Sequence, residues 1–260
     1  QLIDQTIIIF NYMKKTVEVK IPEYITIGKY QQMNKLESLS ELDRIVKIIS
    51  VVTGLDSKEV RTWDLESLTT VSTAVGEVVE RKGEFHAVLE FGDQLYGYSN
   101  LSDFSLGEYI DLEEYLKDPT VNLQKIAALL YRPITKHNFG KISFLVKNSI
   151  KIGNNAVENV FDHYTLEPYD NEKVADRHET FKQFPVHIVL GALAFFFAVG
   201  SQYLKSIASS ETETIDPKGT KMIDEAMKTL LASIGGGGGL YTHSPSLTYF
   251  QFPVTEPSLI

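Results

Sequence analysis

Over Thr16–Ile21 apolar and polar residues alternate, with Val17, Val19 and Ile21 on one side and Glu18 and Lys20 on the other. A period of two is that of a half-buried strand. The β-branched run Thr6–Phe10 precedes it, and Asn11–Lys15 supplies a polar turn, so the pattern predicts a strand pair that Pro22 ends. The period then lengthens. Ser38-Leu39-Ser40-Glu41 has the Ser-x-x-Glu form of a capping box. The residues after it, Leu42, Ile45, Val46, Ile49 and Val52, hold helical spacing up to a stop at Gly54. A further helix is expected from about Asp64 to Val79, with Leu65, Leu68, Val71 and Val75 inward.

The pattern then restarts. Phe85, Ala87, Leu89 and Phe91 alternate with His86, Val88 and Glu90, Gly92-Asp93 is a two-residue hairpin turn, and Gln94–Tyr98 returns. The step Thr26-Ile27-Gly28-Lys29-Tyr30, which follows the first hairpin, recurs as Ser105-Leu106-Gly107-Glu108-Tyr109 after the second. With a two-residue slip, Leu42–Ile49 matches Leu123–Leu130, a second helix expected to stop at Pro133. Hairpin, Gly-Tyr step and amphipathic helix in the same order twice point to an internal duplication. Gly28 and Gly107 read as backbone solutions at a hairpin-to-helix corner, with Tyr30 and Tyr109 packing back over it.

The remainder reads as helical: Lys141–Phe161, Ala175–Phe184, the very apolar Val186–Ser206, and a helix opened by Asp216-Pro217 with Met222, Ala226, Met227 and Leu230 inward. The expected fold is therefore α+β. Two repeated β-hairpin-plus-helix units, over 1–82 and 83–206, are followed by a C-terminal helix in 207–234. The glycine run Gly235–Gly239 then leads to an extended arm ending at Ile260. Tyr241, Tyr249, Phe250 and Phe252 make that arm too aromatic for a spacer, and they are the expected partner-binding residues.

Composition narrows the function. A net charge of −9 argues against broad nucleic-acid binding, which needs a cationic surface. The absence of cysteine removes disulfides, thiolate nucleophiles and cysteine-bound metal. Val186–Val199 is shorter than the roughly 20 residues that cross a bilayer and contains His187, so a buried helix is expected and no membrane span. His178-Glu179-Thr180-Phe181-Lys182 begins like a zinc-protease helix but has Lys182 where the second histidine belongs. Asp162, His163, Glu167, Asp170, Glu172, Asp176 and His178 form an acidic stretch without calcium-loop spacing, which reads as a solvated loop. The glycine run lacks the Gly-Lys-Ser/Thr ending of a phosphate cradle. No catalytic residue, cofactor or metal ligand is expected. A two-lobed adaptor, or a metal-dependent hydrolase using the His163–His178 region, are the alternatives.

Several segments taken together carry a resemblance. They are Ile25-Thr26-Ile27-Gly28-Lys29-Tyr30 leading to Leu42–Val52 and Gly54-Leu55-Asp56, then Ser105-Leu106-Gly107-Glu108-Tyr109-Ile110-Asp111-Leu112-Glu113, then Ala128-Leu129-Leu130-Tyr131-Arg132-Pro133-Ile134, and the apolar Ala192–Leu204. The chain resembles, over roughly residues 15–205, the tail-assembly chaperone and baseplate-assembly proteins of tailed bacteriophages. The resemblance implies a non-enzymatic protein of tail or baseplate morphogenesis, active in the host cytoplasm during assembly. It would form oligomeric assemblies with tape-measure, hub or neighbouring virion subunits. The stretch after Ile234 departs from that pattern and points toward a component retained in the virion.

Overall fold

The computed structural model describes residues 5–12, 15–36, 38–99, 104–138 and 160–197. The fold is α+β. It opens with β1 (Gln5–Tyr12) and β2 (Lys15–Pro22), an antiparallel pair in which Ile8 lies opposite Val19 and Phe10 opposite Val17. Val19 and Ile21 are fully buried, and Phe10 stands edge-on to Trp63 with ring centroids 5.0 Å apart.

Four helices follow: α1 (Ile27–Asn34), α2 (Glu41–Thr53), α3 (Ser57–Val60) and α4 (Leu65–Val79). The cap of α2 is Ser40, whose hydroxyl accepts from the Asp43 amide, so the capping sits two residues beyond the expected Ser38 box. Gly54 ends α2 in the left-handed region with φ 81°, as its position predicts. Asp64 caps α4 through the Ser67 amide. Leu65, expected to face inward, is 74% exposed. It lies about 200° round the helix from Ser67, which together with Val71 and Val75 forms the buried stripe.

The second sheet has the order β3-β4-β5-β6 and is antiparallel throughout. Its strands are β3 (Val88–Phe91), β4 (Gln94–Tyr98), β5 (Tyr131–His137) and β6 (Tyr164–Leu166). Gly92 makes the β3–β4 turn at φ 62°. Between β4 and β5 run α5 (Leu106–Tyr115) and α6 (Leu123–Leu130); after β6 come α7 (Asn171–Phe181) and α8 over 186–197. All of α6 except Lys125 is buried. Pro133 does not itself terminate α6: the helix stops at Leu130, and Pro133 lies within β5 opposite Tyr96. The proline acts one step upstream, because its ring disfavours helical geometry at Arg132. Its carbonyl accepts from the Glu167 amide at 2.8 Å.

One hydrophobic core runs from Val19 to Phe197 and draws on both hairpin units. At its centre Phe181 and Phe184 stack at 4.0 Å, and Tyr96 meets both edge-on. Val88 and Ile134, with Leu95, Tyr164 and Leu166 against them, form a separate small cluster. Among the described residues no helix is long and apolar enough to cross a membrane. The expected helices over Lys141–Phe161, beyond 197 and after Asp216-Pro217 lie wholly or mainly outside the described residues, as do the glycine run and the arm.

Candidate functional site

The two copies of the Gly-Tyr step fold alike and then diverge in what they meet. Each is a helix N-terminus. The Thr26 hydroxyl accepts from the Lys29 amide and the Ser105 hydroxyl from the Glu108 amide, both at 3.3 Å. In each copy the fourth residue of the step then pins the helix. Lys29 donates from Nζ to the Val52 carbonyl at the end of α2, at 2.7 Å, and burial lowers its pKa. Glu108 accepts from the Ser105 amide at 2.8 Å, completing a capping box, and pairs with Arg132 of β5 at 3.3 Å.

The first copy is enclosed. The Ile27 amide donates to the Phe184 carbonyl at 2.9 Å and the Gly28 amide to the Lys182 carbonyl at 2.8 Å. The α1 amides that have no partner within their own helix thus meet the turn after α7. Ile27 is 0% exposed and Tyr30 packs on the core. The second copy is open. Leu106, the counterpart of Ile27, is 77% exposed, and Tyr109 is 49% exposed and stands edge-on to Phe104 at 5.8 Å. Tyr30 thus packs over its corner as expected, while Tyr109 is half exposed and meets Phe104 beside its own corner.

The orientation of α5 is fixed from its inner side. Glu108 and Arg132 are both almost fully buried, and Arg132 also donates to the Ser99 hydroxyl at 2.8 Å. Tyr169 donates from its hydroxyl to Asp111 Oδ2 at 2.6 Å, and its ring lies where a methyl on Gly107 would stand, 2.9 Å away. Burial and the Asp111 carboxylate both hold the Tyr169 phenol above its ordinary pKa, so it stays a donor. Leu112 and Leu116 enter the core. With these contacts set, Leu106, Tyr109 and Ile110 face outward together, at i, i+3 and i+4, rimmed by the exposed acids Glu113 and Glu114.

A helix presenting three apolar side chains, with two exposed acids at one end of the patch, is suited to receiving another protein. This face was not legible in the sequence. The Ser105-x-x-Glu108 spacing signals the cap, but nothing in it says that Glu108 will be buried against a residue of β5.

Among the described side chains the acidic stretch does not converge. Asp170 caps α7 through the Glu172 and Lys173 amides, His163 bonds Asn138 Oδ1 at 2.9 Å, and His178 stands edge-on to Tyr115. Glu167 takes Arg177 at 2.7 Å and Lys173 at 3.2 Å; burial raises its pKa, and these two cations more than reverse that. Glu179 pairs with Lys182 at 2.7 Å. Among the described residues no three carboxylate or imidazole groups gather as metal ligands. A cavity of about 250 Å³ lies beside β4, β5 and β6, with Ser99 and Arg132 on its polar wall. That arginine is already committed to Glu108. Tyr241, Tyr249, Phe250 and Phe252 lie outside the described residues. Comparison with protein-family models, curated proteins and solved structures finds no match to this chain.

Proposed function

We propose that this is a non-enzymatic assembly protein that works through protein–protein contacts, in the tail or baseplate morphogenesis of a tailed bacteriophage. The observation that supports contact as its business is the outward face of α5. Leu106 and Ile110 stand exposed, with Tyr109 half exposed beside them, on a helix whose inner side is anchored by a buried ion pair. Holding large apolar side chains in water is unfavourable, and a partner surface relieves it. The phage setting rests on the resemblance of residues 15–205, and the partners it points to are tape-measure, hub or neighbouring virion subunits. The net charge of −9 works against non-specific association and against nucleic acid, leaving contact to matching surfaces.

Reading the genes that flank its own, and co-expressing the chain with any tape-measure or hub protein encoded there, tests the reading. A complex that survives gel filtration, and is lost in the Leu106→Glu/Ile110→Glu variant, is the expected result. Normal particle yield after deletion of the gene, with no complex to any tail protein of the same cluster, would refute it.

A further inference from the structure

We propose that β1 is a dimer seam, through which two copies of this chain pair antiparallel about Ile8 to join their hairpins into one four-stranded sheet. The inference is independent of the α5 face and concerns the opposite kind of surface, a strand edge.

Among the described residues β1 pairs with β2 alone, so its outer edge carries a row of backbone amides and carbonyls facing away from the sheet. Proteins commonly blunt such an edge with a lysine, a proline or a bulge. None of these is present here. Gln5-Thr6-Ile7-Ile8-Ile9-Phe10-Asn11-Tyr12 has no charge and no proline, and its register to β2 runs without a break from Gln5–Pro22 to Tyr12–Lys15. Within the two strands the charges and the proline all sit on β2, as Lys15, Glu18, Lys20 and Pro22. Ile7 and Ile9 add an exposed apolar face, at 53% and 64%.

A second copy is the occupant because the strand is complementary to itself. Antiparallel pairing about Ile8 sets Ile7 opposite Ile9 of the other copy, twice, on the outer face. On the inner face it sets Ile8 opposite Ile8 and each Thr6 opposite a Phe10, a β-branched residue against an aromatic one. No charge meets a like charge along the seam. The arrangement is two-fold and closes on itself, so it ends at a dimer instead of growing into a fibre. A single strand pair is smaller than a standard interface, which places the dissociation constant in the micromolar range. Because each copy carries −9, added salt should tighten the dimer by screening the repulsion between copies.

Sedimentation equilibrium of the full chain, from about 1 to about 100 µM, reads the association directly. Two double variants test the register. In Ile7→Glu/Ile9→Lys the new glutamate faces Lys20 within the chain, the new lysine faces Glu18, and across the seam each faces its opposite in the other copy. In Ile7→Lys/Ile9→Lys the seam sets lysine against lysine. Both sites are exposed, and circular dichroism checks that both variants fold. The expected result is a dimer for wild type and for the charge-paired variant, with association at least tenfold weaker for the like-charged one. Loss of the dimer in both variants would mean general apolar stickiness and would overturn the seam. So would a wild type that stays monomeric throughout, including one that binds a strand of some other protein there, or a like-charged variant that dimerises as wild type does.

Discussion

Gly191 lies so close to Glu84 that a methyl group on Gly191 would stand 2.3 Å from both the carbonyl carbon and the carbonyl oxygen of Glu84. The extended segment before β3 thus crosses α8 backbone against backbone, and the Glu84 amide donates to the His187 carbonyl at 3.1 Å. Gly83 shares the crossing, since a methyl there would meet the Gly191 amide nitrogen at 2.9 Å. Neither obstacle is a side chain that swings away. Gly191→Ala is therefore expected to destabilise the fold by about 3 kcal/mol, at the upper end for a single methyl group. Urea denaturation of the variant against wild type measures it; a change within error would show that α8 can slide.

The buried pair Glu108–Arg132 invites a double-mutant cycle. Removing one partner strands the other charge in the core, and Glu108→Gln or Arg132→Met alone is expected to cost about 3–5 kcal/mol. The double variant should be markedly more stable than the sum of the two implies. Additive losses in denaturation experiments would mean that the two charges are solvated separately.

His187 gives a pH dependence whose sign follows from its surroundings. Burial comes first in lowering its pKa, Arg81 and His86 add to the effect, Glu84 opposes it, and the result is about 4 against an ordinary 6.5. Both folded and unfolded chains hold the ring neutral above pH 6.5, so the contribution is fully present there. As pH falls from about 6.5 to about 4 the unfolded chain takes up the proton first and stability is lost, by about 3 kcal/mol in all. The difference in stability between wild type and His187→Gln, followed from pH 7.5 to pH 4, should shrink across that window. A constant difference would assign the acid sensitivity to other groups.

The outer face of α5 is expected to behave in the opposite way to these sites. Leu106→Glu and Ile110→Glu remove side chains that contribute little to the core, and each should change unfolding free energy by no more than about 0.5 kcal/mol. Thermal melts check this. A large loss would mean that these side chains are buried in the free protein, and the contact reading of the face would fall with it.

Local signals were readable from the chain, and tertiary ones were not. Gly54 and Gly92 stop and turn where their neighbours predict, because a left-handed residue is a local requirement. Asp64 caps α4 for the same reason. The Ser38 box was displaced to Ser40 because two serines two residues apart both satisfy the pattern, and Asp43 serves as well as Glu41 in the first turn. Pro133 shows the limit from the other side. A proline after an apolar helix reads as an end, yet the strand it sits in is defined by Tyr96 and Glu167, which are far away in sequence. The α5 face depended on Arg132, Asp111 and Tyr169 coming together, and no spacing rule reports that.

The start of α1 is held by residues beyond position 180: Ile27 and Gly28 donate to Phe184 and Lys182, while the Val186 amide donates back to the Ile25 carbonyl at 2.8 Å. During synthesis the ribosome delivers these two halves of one clasp many seconds apart, at the ordinary pace of translation. Until Val186 has left the exit tunnel, the hairpin and α1 have been made but lack the strands of backbone that close over them. The nascent chain thus carries the start of α1, with Ile27 and the amides of Ile27 and Gly28, unclosed while the next hundred and more residues are made, and its exposure to misassociation is set by elongation rate as much as by final stability.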